Sequence, residues 1–367
     1  MDRTLYPIYA MHSLQGLAGS LVGVFVPIYL LKLGNSLTDV FIFYLSYSVF
    51  SFLSFLLANH VSKWLSLRKI ILLSYVFLFV YIMFLILLER ANFPLIILAF
   101  LYGMYTAFYW FSLHNLFAER SEDETIGRSV GKLFVFPKLA ALLAPLIGGG
   151  IAVLFGFNSL IASGAVLYFI SLTPLFLVKE FPRPQAFRFS KFKEFIKKYP
   201  RYFVVEFADI VRSETENIIW PIFIFLIFRN VLSVGSVGSL SAAGAALFAM
   251  AVGSYSDRIN KAFIMKVGAV AMLAIWIIRF LTESEPLFYA LTLLAGFFAA
   301  LIFIPFNSII YTLARENNIR EFIVFREIPV TLARLSVYSL AILFVLNIKL
   351  SFLVAATSTL IYFFYRK

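Results

Sequence analysis

Runs of about twenty apolar residues, parted by short polar breaks, recur along the whole chain. They fall near residues 6–32, 37–58, 70–88, 95–117, 129–154, 158–178, 202–228, 234–253, 262–281, 287–313, 323–348 and 350–365. A helix of that length rises about 30 Å, the thickness of bilayer hydrocarbon. Inside lipid every backbone N–H and C=O must be bonded within the protein, which leaves helices and closed barrels. The runs lack the two-residue alternation of a barrel strand, so they are expected to be helices. The chain is 62% hydrophobic and 14% charged, against about 45–50% and about 25% in soluble domains. These features predict an all-α membrane protein with twelve transmembrane helices.

The basic residues set the expected orientation. With the N-terminus taken as cytoplasmic, 23 Lys and Arg fall in inside segments and 5 in outside segments. That bias is the positive-inside signal. It predicts a multi-pass protein of the plasma or inner membrane with both termini cytoplasmic. The net charge of +12 follows from the same bias, so no nucleic-acid partner is expected. Cysteine is absent, which excludes disulfides and thiolate metal sites. The first apolar segment is of spanning length and lacks a convincing cleavage site, so it reads as a span and not a signal peptide.

The longest polar break, Lys179 to Arg201, holds Pro182, Pro184 and Pro200 with eight basic and two acidic residues. It separates a first bundle (1–178) from a second (201–367), leaving a basic cytoplasmic linker at 179–200. Lys191 to Lys198 has the pattern of a short amphipathic helix for the anionic inner leaflet; a solvated linker is the alternative. The halves resemble each other. Val26-Pro27-Ile28-Tyr29 matches Trp220-Pro221-Ile222-Phe223 at an offset of 194. Tyr109-Trp110-Phe111-Ser112 matches Ile304-Pro305-Phe306-Asn307 at 195, and Pro137 matches Pro329 at 192. Such offsets indicate a six-span unit duplicated in parallel, giving two pseudo-symmetric six-helix bundles.

Span 7 breaks the apolar rule. Its first half carries Glu206, Asp209, Arg212, Glu214 and Glu216, while Ile218 to Phe228 is almost wholly apolar. A charge at the bilayer centre costs about 2.5–3.5 kcal/mol on insertion scales, so these groups must pair or face water. On a helical wheel Glu206, Asp209, Arg212, Ser213, Glu216 and Trp220 share one arc of about 120°, with Glu214 off it. Lys138 in span 5 and Arg334 in span 11 lie near mid-span, too deep to snorkel, and are expected to meet these acids. That count gives four acids against three bases, hence one unpaired carboxyl. A carboxyl stripped of water holds a proton more readily, and Asp209 and Glu216, neighbours of Arg212 at i+3 and i+4, are the candidates. Glu206 lies nearer the cytoplasm, where water can reach it. The alternative is a salt-bridge network with a structural role only.

The loop between spans 8 and 9 reads Gly253-Ser254-Tyr255-Ser256-Asp257-Arg258-Ile259-Asn260-Lys261. It resembles the signature loop of the major facilitator superfamily (MFS), a glycine followed by an acidic–basic pair and further basic residues. The corresponding loop of the first half, Ala58 to Lys69, keeps Arg68-Lys69 and lacks the acid. Ala144-Pro145-Leu146-Ile147-Gly148-Gly149-Gly150 in span 5 is similar to the superfamily's glycine–proline packing segment. The resemblance implies the MFS fold over the whole chain, with spans 1, 4, 7 and 10 lining a central cavity. That adds His12, Gln15 and Ser20, then Tyr109, Trp110, Ser112 and His114, and also Asn307 and Ser308. It also implies a cytoplasmic gate at Gly253, Asp257, Arg258, Arg68 and Lys69. Asp257 at a helix end would latch that side shut; the alternative is a topogenic loop with a surface pair worth under about 1 kcal/mol.

His12 and His114 have no metal-ligand spacing, so satisfied packing outweighs metal binding. Tyr109-Trp110 offers a stacking surface for an aromatic or cationic solute, against simple ring packing. Gly127 to Lys132 lacks P-loop spacing, and no nucleophile elbow or zinc-protease helix occurs, so no enzyme activity or cofactor is expected. The expectation is a monomeric secondary active transporter. It would move a polar, anionic or zwitterionic solute by alternating access, with the proton as coupling ion. An uncoupled facilitator or exporter of lipid-like or drug substrates is the alternative within transport. A non-transporting membrane sensor or assembly factor is the alternative of another class.

Overall fold

The computed structural model describes residues 5–91, 93–121, 126–140, 142–178, 191–256 and 260–365. Among these residues no strand occurs, and twelve helical spans follow one another. They are α1 (Tyr6–Lys32), α2 (Leu37–Val61), α3 (Leu67–Leu87), α4 (Leu95–Arg120) and α5 (Ile126–Ala140, then Ala144–Phe155). Next come α6 (Phe157–Ser171, then the 3-10 turn Thr173–Leu177) and α7 (Pro200–Glu214, Thr215–Ile219, Trp220–Phe228). The last five are α8 (Val231–Ser256), α9 (Lys261–Leu281), α10 (Glu285–Glu316), α11 (Ile319–Leu343) and α12 (Leu350–Thr359, then Leu360–Phe364). α1 begins and α12 ends on one face of the molecule, called here the terminal face.

Helix starts follow local chemistry. Ser36 caps α2 through a capping box: its Oγ accepts from the Asp39 N–H at 3.1 Å, and the Asp39 carboxylate accepts from the Ser36 N–H at 2.9 Å. The Asn318 side chain accepts from the N–H groups of Arg320 and Glu321 at the start of α11. Gly156, at φ +85°, makes the turn between α5 and α6 in the left-handed region.

The paired prolines mark a shared break. α1 is interrupted by a 3-10 turn, Gly23–Phe25, just before the helix carrying Pro27. α7 is interrupted by a π turn, Thr215–Ile219, just before the helix carrying Pro221. Both prolines sit in the first turn of the restarted helix, where the missing N–H leaves no bond unmade. Pro137, Pro305 and Pro329 lie inside helical segments.

Eight of the helices are long and apolar enough to cross a membrane, and Val231–Leu247 and Leu350–Phe364 are shorter apolar helices. The two left over are α7 and α11, the charged ones. They pack against each other within the last six spans. The two halves meet along α2–α11 and α5–α8. At the latter seam Gly235 leaves room for the Pro145 carbonyl, 2.5 Å from where a Cβ would stand.

The short helix expected in the linker forms at Phe192–Lys198. Its apolar face packs on protein: the Phe195 ring lies 5.5 Å from Phe203, 5.1 Å from Phe322 and 5.3 Å from Phe325. Ile196 beside it stays exposed, as do Lys193, Lys197 and Lys198. Residues 179–190 of the linker lie outside the described residues.

Candidate substrate and ion site

Two adjoining chambers, about 510 and 350 Å³, occupy the centre between the halves. They share Gln15, Ser20, Trp110, Lys138 and Glu216 in their walls and so form one cavity. The larger chamber is also lined by His12, His114, Arg212, Glu214, Asn307, Arg326, Glu327 and Arg334. Neither Glu206 nor Asp209 lines it; both are buried behind it.

Every acid of α7 has its own arginine. Arg326 Nε donates to Glu206 at 2.7 Å, and Arg212 Nη2 donates to Asp209 at 2.6 Å. Arg334 Nε donates to Glu214 at 2.8 Å, and both Nη atoms of Arg279 grip Glu216 at 2.6 and 3.0 Å. Tyrosines complete two of these sites: Tyr362 donates to Asp209 at 2.6 Å and Tyr338 to Glu214 at 2.5 Å. This corrects the expected leftover acid in span 7. The count treated Arg279 and Arg326 as loop charges, yet Arg279 is fully buried and Arg326 lines the cavity. Nor does Glu216 pair with Arg212 four residues earlier, since Arg279 of α9 takes it. The wheel also misassigned two faces: Glu214 lines the cavity, whereas Asp209 turns to Tyr362 of α12.

Arg279 is held by more than its carboxylate. Its guanidinium lies 3.9 Å from the Trp220 ring centroid and 4.6 Å from that of Trp276. Arg279 Nη2 and Trp220 Nε1 both donate to Thr292 Oγ1, at 3.3 and 3.1 Å. A cation between two indole faces is stabilised by them and by the bidentate carboxylate, while its Nε has no hydrogen-bond partner among the described residues. A sequence signal for the other pairs existed. Glu206 and Glu214 are eight residues apart on α7, and Arg326 and Arg334 are eight apart on the parallel α11. Equal spacing on parallel helices brings both pairs into register, about 12 Å apart.

Two charged groups on the cavity wall have no ion pair among the described residues, Lys138 of α5 and Glu327 of α11. Lys138 was expected to meet an α7 acid, but the arginines occupy all four. It is exposed to the cavity, in the wall it shares with Glu216. Glu327 is buried and has Arg326 and Arg334 on its own helix, Tyr47 on α2, and Tyr202 and Glu206 on α7 as its charged and titratable neighbours.

The histidines are packed as polar groups. His12 Nδ1 and Tyr109 Oη are 2.9 Å apart, and Tyr109 lies behind the cavity wall. Arg326 Nη1 lies 3.1 Å from His114 Nε2 and can only donate, so Nδ1–H donates to Tyr311 Oη at 2.7 Å. Trp110 stacks on His114 at 5.2 Å, Gln15 Nε2 donates to Tyr105 Oη at 2.9 Å, and Asn307 Nδ2 donates to its own helix at Phe303 O. No group of three metal-ligating side chains occurs among the described residues.

The terminal face is closed by bonds between the halves. Arg320 Nη1 donates to Ser62 Oγ at 2.8 Å, with Glu119 at 3.8 Å. Arg315 donates to the Ser121 carbonyl, and His114–Tyr311 lies beneath. Of the gate residues expected from the sequence, three fall among the described residues. Arg68 sits over the Phe176 ring at 5.5 Å within the first half, and the Lys69 N–H meets the Ser66 cap. Gly253 is in α8, while Asp257 and Arg258 lie outside the described residues.

A cavity enclosed by two six-helix halves, with ionised walls at membrane depth, defines a membrane transport protein. The chain belongs to the major facilitator superfamily: the model of that family matches residues 8–228. It is similar to the uncharacterised protein YqgE of Bacillus subtilis (strain 168), 22% identical over 353 residues that cover 91% of this chain and 81% of that protein. Its fold is that of a bacterial homologue of the iron transporter ferroportin in an outward-facing state, with a TM-score of 0.71, 14% identity and coverage of 99% and 100%. The human organic anion transporter MFSD10 (TETRAN) gives a TM-score of 0.68 at 14% identity, with 99% of both chains covered.

Proposed function

We propose that this MFS transporter is a secondary active carrier of a polar, anionic or zwitterionic small solute, coupled to the proton. It would work as a monomer in the plasma or inner membrane with the terminal face toward the cytoplasm. The observation that carries the reading is Lys138, a cation in the wall of the central cavity with no acid of its own. A cation on a cavity wall without a fixed counter-ion gains from an anionic group that offers direct hydrogen bonds, which a solute would supply. Glu327 is the better coupling carboxyl than Asp209 or Glu216, because both of those are held by arginines. Lys138 belongs to the first half and Glu327 to the second, so rocking of the halves changes their surroundings together.

The test is solute flux in proteoliposomes under an imposed pH gradient, screened over organic anions and zwitterions. Glu327→Gln should abolish gradient-driven uptake and leave counterflow exchange. Flux unaltered by protonophore would reject coupling and leave a facilitator. Absence of any flux would reject transport.

A further inference from the structure

The smaller chamber differs from its neighbour in what walls it. Tyr44 of α2, Tyr81 of α3, Tyr102 and Tyr105 of α4, and Tyr168 of α6 converge on it. Ring centroids stand 5.1 Å apart for Tyr81–Tyr102, 6.1 Å for Tyr102–Tyr105 and 6.3 Å for Tyr105–Tyr168. Tyr105 Oη accepts from Gln15, but the hydroxyls of Tyr44, Tyr81 and Tyr102 have no hydrogen-bond partner among the described residues. Their oxygens are not sealed in protein either. A wall meant only to pack would carry phenylalanine here, as much of this chain does. Three free hydroxyls on a ring-lined wall are donors awaiting an acceptor. Lys138 stands in the wall common to this chamber and the charged one.

We infer that the tyrosine chamber receives the flat ring of an aromatic carboxylate, with the carboxylate on Lys138 and a ring oxygen on the tyrosine hydroxyls. This rests on the reading of the cavity as a solute site. Aromatic rings attract one another at centroid distances of about 4.5–7 Å in offset or edge-on geometry, and the tyrosines already stand at that spacing. A guest ring inserted among them continues the same arrangement. The chamber, about 350 Å³, is within the range of about 300–1,000 Å³ typical of small-molecule sites. A saturated ring fills the same space without the ring–ring attraction. An uncharged ring leaves Lys138 unpaired.

The experiment is calorimetric binding to the purified full-length protein in nanodiscs, with 4-hydroxybenzoate as probe. The comparators are 4-hydroxybenzamide, cyclohexanecarboxylate and glucuronate. We expect 4-hydroxybenzoate to bind at least about tenfold more tightly than each comparator. Lys138→Gln should abolish that preference over the amide, and Lys138→Arg should retain it. Equal binding of all four compounds, or preference for glucuronate, would overturn the inference on the unaltered protein, whatever the variants do. Flux of the same compounds in proteoliposomes separates the two readings. Selective binding without flux would sink transport and leave the site; flux of another solute without 4-hydroxybenzoate binding would sink the site and leave transport.

Discussion

Glu216 and Arg279 show how an acid can sit at hydrocarbon depth. The pair is bidentate, and Arg279 is stacked between two tryptophans and fully buried. Removing one partner of a buried pair strands the other charge, at about 3–5 kcal/mol. Glu216→Gln and Arg279→Met should therefore each lower the unfolding temperature in detergent substantially. The double variant should recover much of the loss, because no bare charge remains. Additive losses would show that the two residues do not act as a pair. Glu327→Gln should behave oppositely, with little change in unfolding temperature, since Glu327 has no ion pair to lose. A fall as large as that of Arg279→Met would remove Glu327 as a free carboxyl.

The helices use glycine in two ways. Gly244 of α8 and Gly296 of α10 let two helices of one half touch backbone to backbone, against Leu293 and Ser241 respectively. Gly235 and Gly238 of α8 face Pro145 of α5, across the seam between halves. A side chain at Gly244 meets a carbonyl that cannot yield, so Gly244→Val should reduce folded yield and thermal stability by a typical overpacking cost of about 1–3 kcal/mol or more. Gly235→Val meets the other half, which can move as a body. It should leave stability nearly unchanged and shift the balance between the two openings. Because the chain has no cysteine, a single Ser241→Cys on the cavity wall reports that balance through labelling by an impermeant maleimide. Equal labelling with and without Gly235→Val would show that the seam does not control opening.

Across the whole molecule, closure of the terminal face rests on Arg320 and Arg315, which reach from the α10–α11 region of the second half to Ser62, Glu119 and Ser121 of the first. Arg320→Ala should open that face and raise maleimide labelling of Ser241→Cys from it. Unchanged labelling would assign closure to other contacts. The eight-residue matches between α7 and α11 were present in the sequence all along. They became meaningful only once the two helices were known to run parallel and adjacent. Likewise the paired Pro27 and Pro221 revealed a repeat, while the different turns before them, 3-10 and π, appear only in the folded chain.

Length and polarity of the apolar runs alone determined that this chain is a twelve-helix bundle, because lipid offers a backbone no other partner than itself. The repeat and the glycine–acid–base loop were enough to point to its superfamily. Which charges meet was decided by tertiary structure. An ion pair depends on helices from distant parts of the chain lying a few ångströms apart, and one-dimensional counting misread Arg279 and Arg326 as loop residues. The lysine and glutamate left without ion pairs on the cavity wall could be found only by subtraction, after the acids of α7 had been matched in space.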